Sequence, residues 1–291
     1  MSYESGQVIN DRYRILNHLG SGGNGVVYRS RDLETGTEVA IKLLGDEKSY
    51  DPVQRERVER EALAMARLRG TNAVYVHALG KSERGILYLV MEMLHGKNFE
   101  RYLRDSEKLG GRLKAQKLMQ LLSPVATTLE AAHKNRIVHR DIKPSNIFVV
   151  DRDRGGGVRL LDFGLAKMLD LKSLTDAGII AGTPSYIAPE TWKGNSHKLD
   201  ARADVYGLGV IVFRALAGRP PFAAKDLVEL CRKVTSGPRP SLVELRPSLP
   251  AGIDAWCARA LAINPSERFA SVRDMWSELG GVLAIKDKGP F

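Results

Sequence analysis

The chain has 291 residues, 43% of them hydrophobic, enough to bury a sizeable core without help. Its two cysteines, Cys231 and Cys257, exclude a disulfide framework, no Cys/His cluster has zinc-ligand spacing, Met1–Asn10 lacks a signal-peptide plan, and the most apolar stretch, Val205–Phe213, falls far short of the roughly 20 residues that cross a bilayer. A net charge of +10, from 44 Lys+Arg against 34 Asp+Glu, invites a nucleic-acid or membrane partner, yet Arg55, Arg57, Arg60, Arg67 and Arg69 are interleaved with Glu56, Glu59 and Glu61, as on an ion-paired helix face. The expectation is no nucleic acid, no membrane segment, both cysteines buried as small hydrophobes, and a cytoplasmic protein or the cytoplasmic domain of a longer one.

In chain order, Tyr13–Leu19, Val26–Arg31 and Glu38–Leu43 read as short strands separated by glycine turns. Between Pro52 and Arg69 the pattern becomes helical, with Val58, Ala62, Met65 and Leu68 on one face. Strand-like segments return at Ala73–Leu79 and Ile86–Met93, so a small, mostly antiparallel sheet carrying one helix is the simplest packing. Leu113–Lys134 is helical with a kink expected at Pro124, and Ile147–Val150 and Val158–Leu161 are strands around the polar turn Asp151–Gly157. Helices follow at Val205–Ala217, Lys225–Thr235, Ile253–Ala262 and Ser271–Leu283. The fold class is α+β, with a strand-rich small lobe over 1–94, a helix-rich lobe over 95–291, and Leu94–Asn98 as the connector.

Three constellations carry chemistry. Gly20-Ser21-Gly22-Gly23-Asn24-Gly25 fits a dinucleotide-binding turn or a glycine hairpin, and its continuation as strand through Val26-Val27-Tyr28 decides for the hairpin, whose backbone N–H groups can approach phosphate oxygens. Lys42 ends the run Val39-Ala40-Ile41-Lys42; it is either solvated or aimed at phosphates by Glu61, whose own alternative is a surface pair with Arg57. His139-Arg140-Asp141-Ile142-Lys143-Pro144-Ser145-Asn146, with Asp162-Phe163-Gly164, supplies what phosphoryl transfer asks of a protein. Asp141 suits orienting a hydroxyl, Asn146 and Asp162 holding Mg²⁺, and Lys143 standing as a cation near the transferring group.

With Ala188-Pro189-Glu190, five motifs stand in order, and the chain resembles the eukaryotic-like protein kinases, in particular the bacterial Ser/Thr kinases, from Tyr13 to Leu283. The resemblance implies a two-lobed kinase fold using ATP with Mg²⁺ or Mn²⁺. It implies that Asp141 and Lys143 act on the hydroxyl and phosphoryl group, and that Asn146 and Asp162 hold metal. Lys42, fixed by Glu61, would hold the α- and β-phosphates. Leu19, Gly20, Gly22 and Gly25 would border the nucleotide, Val27, Ala40 and Phe148 would sandwich adenine, the backbone of Glu92 and Met93 would read its edge, and Met91 would guard the space behind. Core packing explains Val27, Met91 and Phe148 equally well.

Lys143, together with Gly182–Ile187, resembles the Ser/Thr-specific branch, with Thr183 bridging Asp141 and Lys143. Arg140 would await a phosphate on Ser173 or Thr175 in the segment Asp162–Glu190, unless Asp170 or Asp176 satisfies it unmodified. Phe163 and Gly164 are structural members of the metal loop, Glu190 and Arg268 match a buried salt bridge, and Asp204 matches a residue that bonds the His139-Arg140 backbone. Two departures stand out: Arg69-Gly70-Thr71-Asn72 where relatives carry His-Pro-Asn, and Gly23-Asn24 at the loop tip. Partners would be protein substrates, including a second copy in trans, with a homodimer as a further expectation. The rivals are a pseudokinase scaffold that binds nucleotide or partners without catalysis, and a small-molecule kinase, against which the docking-like segment Gly182–Glu190 speaks.

Overall fold

The computed structural model describes residues 3–22, 25–46, 65, 67–163, 184–192 and 200–285. It divides into two compact units. One holds the described residues up to Arg69, Ala73–His95 and Phe163; the other holds Gly70–Asn72, Gly96–Asp162 and those from Pro184 onward.

In the first unit the period-2 segments pair into a six-stranded antiparallel sheet. Its strands are β1 (Val8–Ile9), β2 (Tyr13–Gly22), β3 (Gly25–Asp32), β4 (Glu38–Asp46), β5 (Val76–Lys81) and β6 (Ile86–Glu92), in the order β1-β2-β3-β4-β6-β5. Val39, Ile41 and Leu43 cluster with Tyr13, Ile15, Tyr28, Ile86, Tyr88 and Val90, and Tyr3 and Ile9 join the same core. Alternation then places Ala40 and Lys42 on the opposite face, beside their register partners Met91, Leu89 and Val27. A one-residue slip of β4 would take Val39, Ile41 and Leu43 out of that core and put Ala40 and Lys42 into it, so the core fixes where Lys42 points. At the far end of β3, Gly25 has φ +113°, and a Cβ there would run into the Leu43 carbonyl oxygen. Glycine is the residue that fits.

Ala73, an isolated bridge residue, and Val74, both expected within a strand, are buried but lie ahead of β5, whose pairing with β6 begins at Val76↔Met91. The helix expected over 52–69 falls largely outside the described residues; Met65 and Leu68 are described and buried.

The second unit opens with a three-stranded antiparallel sheet, β7 (Gly96–Asn98), β8 (Ile147–Val150) and β9 (Val158–Leu160), in that order. Its helices, among the described residues, are α1 (Phe99–Lys108), α2 (Ala115–Lys134), α3 (Pro189–Trp192), α4 (Arg202–Ala217), α5 (Leu227–Ser236), α6 (Leu242–Leu245), α7 (Gly252–Ala260) and α8 (Val272–Val282). The sequence expected a plain connector at Leu94–Asn98, yet its second half is β7. Gly-Lys-Asn has little strand preference of its own, and the strand exists because β8 offers an edge, Gly96 pairing with Val150 and Asn98 with Phe148. Asn98 also caps α1, accepting the Arg101 N–H at 2.9 Å. Helix α1 lies in the lobe expected to be helix-rich, but its bounds are not legible in the sequence, because only Phe99 and Leu103 are buried along it, too short a repeat to read.

Helix α2 is continuous through Pro124, where the hydroxyls of Thr127 and Thr128 bond the carbonyls of Ser123 and Pro124 at 3.0 and 2.8 Å. Helix α4 is buried from Asp204 to Ala217 because α2, α7 and α8 pack around it. Of the two cysteines only Cys257 is buried as expected. Cys231 is half-buried, since Leu230 and Val234 take the core-facing positions of α5. Among the described residues, no helix is long and apolar enough to cross a membrane.

Candidate active site

The site in the second unit is built from the first turn of α4. Asp204 is fully buried, and its carboxylate accepts three hydrogen bonds: from the backbone N–H of His139 and of Arg140, both at 2.8 Å, and from His133 Nε2 at 2.7 Å. A buried carboxylate is tolerated when its lone pairs are matched in this way. Helix α2 brings His133 to this point in its last turn, and the turn after it, closed by Ile137 N–H on the Ala132 carbonyl at 2.9 Å, leads the chain into His139. One turn along α4 from Asp204, Gly207 leaves room for the loop. A Cβ there would come within 2.9 Å of the Ile142 carbonyl oxygen.

His139 is fully buried and locks the loop from inside. Its Nε2 faces the Leu161 carbonyl at 2.8 Å, which can only accept, so Nε2 carries the proton and Nδ1 accepts the Asp141 N–H at 3.3 Å. Arg140 and Asp162 have positive φ, 63° and 52°, a conformation that costs a non-glycine residue on the order of 1 kcal/mol. At Arg140 the Asp204 bond supplies the restraint.

Lys143 and Asn146 then converge on Asp141. Lys143 Nζ lies 2.8 Å from Asp141 Oδ2, and Asn146 Nδ2 donates to the same oxygen at 3.1 Å and to the Asp141 backbone carbonyl at 2.8 Å. The 3-10 turn Pro144–Asn146 sets Asn146 immediately before β8. Because Ile147 pairs with Leu160 and the Leu161 N–H bonds the Asn146 carbonyl at 2.8 Å, Asn146 and Asp162 emerge from the same end of the β8–β9 ladder.

That donor set fits a hard divalent cation. Both Asn146 bonds use Nδ2, so the amide oxygen Oδ1 takes no part in them, and the Asp162 carboxylate supplies a second hard oxygen. Among the described residues, no cluster of three or more His, Cys, Asp or Glu could hold a metal alone. An ion here would complete its shell from water and phosphate oxygens, as Mg²⁺ commonly does.

In the first unit, Lys42 is buried at 2% exposure between Val27 on β3 and Leu89 on β6, with Ala40 and Met91 on the same face. Leu19 is exposed. Gly20 has open space where a Cβ would be, so none of the described residues demands glycine there. Gly22 pairs with Gly25 at the end of the β2–β3 ladder. Glu92 ends β6 and Met93 comes just after it, both half-buried; the Glu92 N–H is already given to the Tyr75 carbonyl at 2.9 Å. Phe163 is buried, and Phe148 is half-buried in β8 of the other unit. Glu61, Gly164, Ser173, Thr175 and Thr183 lie outside the described residues.

Glu190 and Arg268 meet in a two-pronged ion pair at 2.6 and 2.9 Å. The remaining Arg268 donors go to the carbonyls of Ala262, Arg202 and Ile263. The guanidinium also lies 5.0 Å from the centre of the Tyr206 ring, whose hydroxyl is pushed up in pKa by burial. Arg140 Nε is buried with no partner among the described residues, and the candidates expected to satisfy it lie outside them. Sequence reasoning missed His133 and Gly207. A glycine inside an apolar helix costs about 1 kcal/mol relative to alanine, which was the available sign of a close approach at Gly207; for His133 only the fold reveals the partner.

This geometry has relatives. Serine/threonine-protein kinase PknH of Mycobacterium tuberculosis is 34% identical over 263 residues, covering 90% of this chain and 40% of its own length. PrkC of Bacillus subtilis, also a serine/threonine-protein kinase, is 32% identical over 274 residues, covering 94% of this chain and 41% of its own. The chain thus spans about two fifths of the length of the curated relatives it matches. The crystal structure of the M. tuberculosis PknI kinase domain superposes with a TM-score of 0.76 at 27% identity, covering 98% of this chain and all of that one. The sequence pattern of the protein kinase domain matches residues 13–276. With that span matched and a solved kinase domain aligned nearly end to end, this chain belongs to the protein kinase family.

Proposed function

We propose that this chain transfers the γ-phosphoryl group of ATP to Ser or Thr hydroxyls of protein substrates, a second copy of itself among them. The observation that carries the reading is the convergence of Lys143 and Asn146 on the Asp141 carboxylate, on a loop tied to α4 by Asp204. A carboxylate so restrained can orient a hydroxyl and take its proton. Lys143 beside it offers a positive charge to a transferring phosphoryl group. The protein kinase family uses ATP and a divalent metal in general; here Asn146 and Asp162 would hold Mg²⁺. A divalent cation so bound neutralises charge on the phosphate oxygens.

In the first unit, Lys42 would bind the α- and β-phosphates with Glu61 as its counter-ion, and Leu19, Gly20, Gly22 and Gly25 would border the triphosphate. Val27, Ala40 and Met91 would line the adenine. With the Glu92 N–H committed to Tyr75, the adenine edge would be read by the other backbone groups of Glu92 and Met93. The names of the relatives support Ser/Thr specificity, and Thr183 would complete the Asp141–Lys143 centre. Ser173 and Thr175 are the proposed autophosphorylation sites, with Arg140 as the receiving cation. The protein would work in the cytoplasm or as the cytoplasmic domain of a longer chain, alone or as a homodimer.

Intact-mass measurement after incubation with Mg-ATP tests this, comparing wild type with Asp141→Asn. Phosphate gain in wild type and none in the variant is expected, with phosphoserine or phosphothreonine on hydrolysis. Gain in both without another kinase present would remove Asp141 from its role, and dominance of phosphotyrosine would overturn the specificity. A wild type that binds nucleotide but phosphorylates neither itself nor any protein would be a scaffold.

A further inference from the structure

Arg214, near the end of α4, is buried at 7% exposure, unusual for an arginine without a defined task. All five of its N–H donors are used. Nε and Nη2 fork onto Glu107 at 2.9 and 3.1 Å, Nη1 and Nη2 fork onto Glu100 at 2.7 and 3.2 Å, and Nη1 gives a second bond to the Tyr186 hydroxyl at 2.9 Å. Burial works against the charge, but the bonds that Arg214 donates to Glu107 and Glu100 outweigh that and hold the guanidinium protonated. Burial likewise pushes the Tyr186 pKa up to about 12, so its hydroxyl keeps its proton at neutral pH. Both carboxylates come from α1, whereas Tyr186 lies in the turn Pro184–Tyr186 that leads into α3.

Stability alone does not explain this cluster. A buried arginine–carboxylate group is often no more stabilising than an apolar replacement of equal volume, and its best-attested use is to specify geometry. The geometry specified is that of the segment 184–192, which is held at two points by two arginines. Arg268 fixes Glu190 while anchoring itself to three backbone carbonyls. Arg214 fixes Tyr186 through side chains only. Between them, Trp192 Nε1 bonds the Ile187 carbonyl at 3.2 Å.

We infer that Arg214 is a positioning residue for recognition of the polypeptide substrate: by gripping the Tyr186 hydroxyl it sets the turn on which the substrate docks, and Glu100 and Glu107 hold the arginine in place. The inference rests on the kinase reading above, with 184–190 as the docking segment.

The test uses the whole chain, Mg-ATP and a Ser/Thr peptide that the wild type phosphorylates, with Tyr186→Phe, Arg214→Met and Arg214→Lys. Tyr186→Phe removes one hydroxyl and keeps the ring, so folding is retained even if Arg214→Met fails. KM for peptide should rise about tenfold in Tyr186→Phe and Arg214→Met, the factor that loss of one charge-assisted bond supplies, while KM for ATP stays within about twofold. Arg214→Lys, which can reach one partner but not fork, should fall between. Amide hydrogen exchange of 187–192 should quicken in the same two variants while exchange in β2–β6 is unchanged. Unchanged peptide KM in both, or ATP KM rising in step with it, would overturn the inference. A wild type that phosphorylates no peptide would instead reject the kinase reading; the exchange measurement then still decides the tether, unchanged protection of 187–192 rejecting it.

Discussion

Between His133 and Asn146 the polar groups of the candidate catalytic loop are met by side chains, Asp204 reaching in from α4 and the others belonging to the loop itself. Asp204 takes two backbone N–H groups, His139 takes a third and bonds the Leu161 carbonyl, and Asn146 and Lys143 reach Asp141. The glycine hairpin of the first unit is organised in the opposite way. Among the described residues nothing lies within 4 Å of a would-be Cβ at Gly20, whereas Gly25 lies so close to Leu43 that a Cβ has no room. One region owes its shape to what reaches it, and the other to what is left out. They should therefore respond differently to mutation, the loop to loss of a distant partner and the hairpin to the gain of a single methyl group.

The largest effect is expected at Asp204→Ala. Three donors, one fully and two partly buried, would lose their acceptor, and at roughly 1–3 kcal/mol each, with some relief by water, the loss of stability should be about 3–5 kcal/mol in a denaturant melt, with phosphotransfer abolished. A variant melting with the parent would show that the loop does not depend on its distant anchor. Gly25→Ala comes next. Its backbone conformation and the Leu43 carbonyl together should remove about 2 kcal/mol or more, read as a lowered melting temperature. The smallest structural effect belongs to Gly20→Ala, within about 0.5 kcal/mol of the parent because no atom of the described residues stands in the way. Its KM for ATP should nonetheless rise several-fold. An unchanged KM would mean that the space beside Gly20 is not used by a ligand, and would blunt the contrast between the two regions.

The two regions also differed in how far the sequence disclosed them. The residues of His139–Asn146 are contiguous, so their chemistry could be read directly, and the resemblance added Asp204, Glu190 and Arg268. The strands of the first sheet were legible because Val39, Ile41 and Leu43 alternate with Ala40 and Lys42, and a pleated backbone converts that alternation into two faces. What stayed hidden depends on tertiary pairing. The partners His133 and Asp204 are 71 residues apart, Tyr186 and Arg214 are 28 apart, and neither pair has a periodic sign. Strand β7 escaped because its residues become strand only through β8. The half-exposure of Cys231 escaped because its burial depends on which face α5 presents to the core.

Gly207 has a bearing on how the molecule acquires competence. With the Ile142 carbonyl lying against the axis of a helix whose Asp204 holds the same loop, the candidate catalytic carboxylate cannot settle until α4 is packed. Helix α4 is also the middle of the second unit's core. Competence and folding are thereby one event in this unit, and a partly folded chain with its core still open would lack an organised site rather than carry a weakened one.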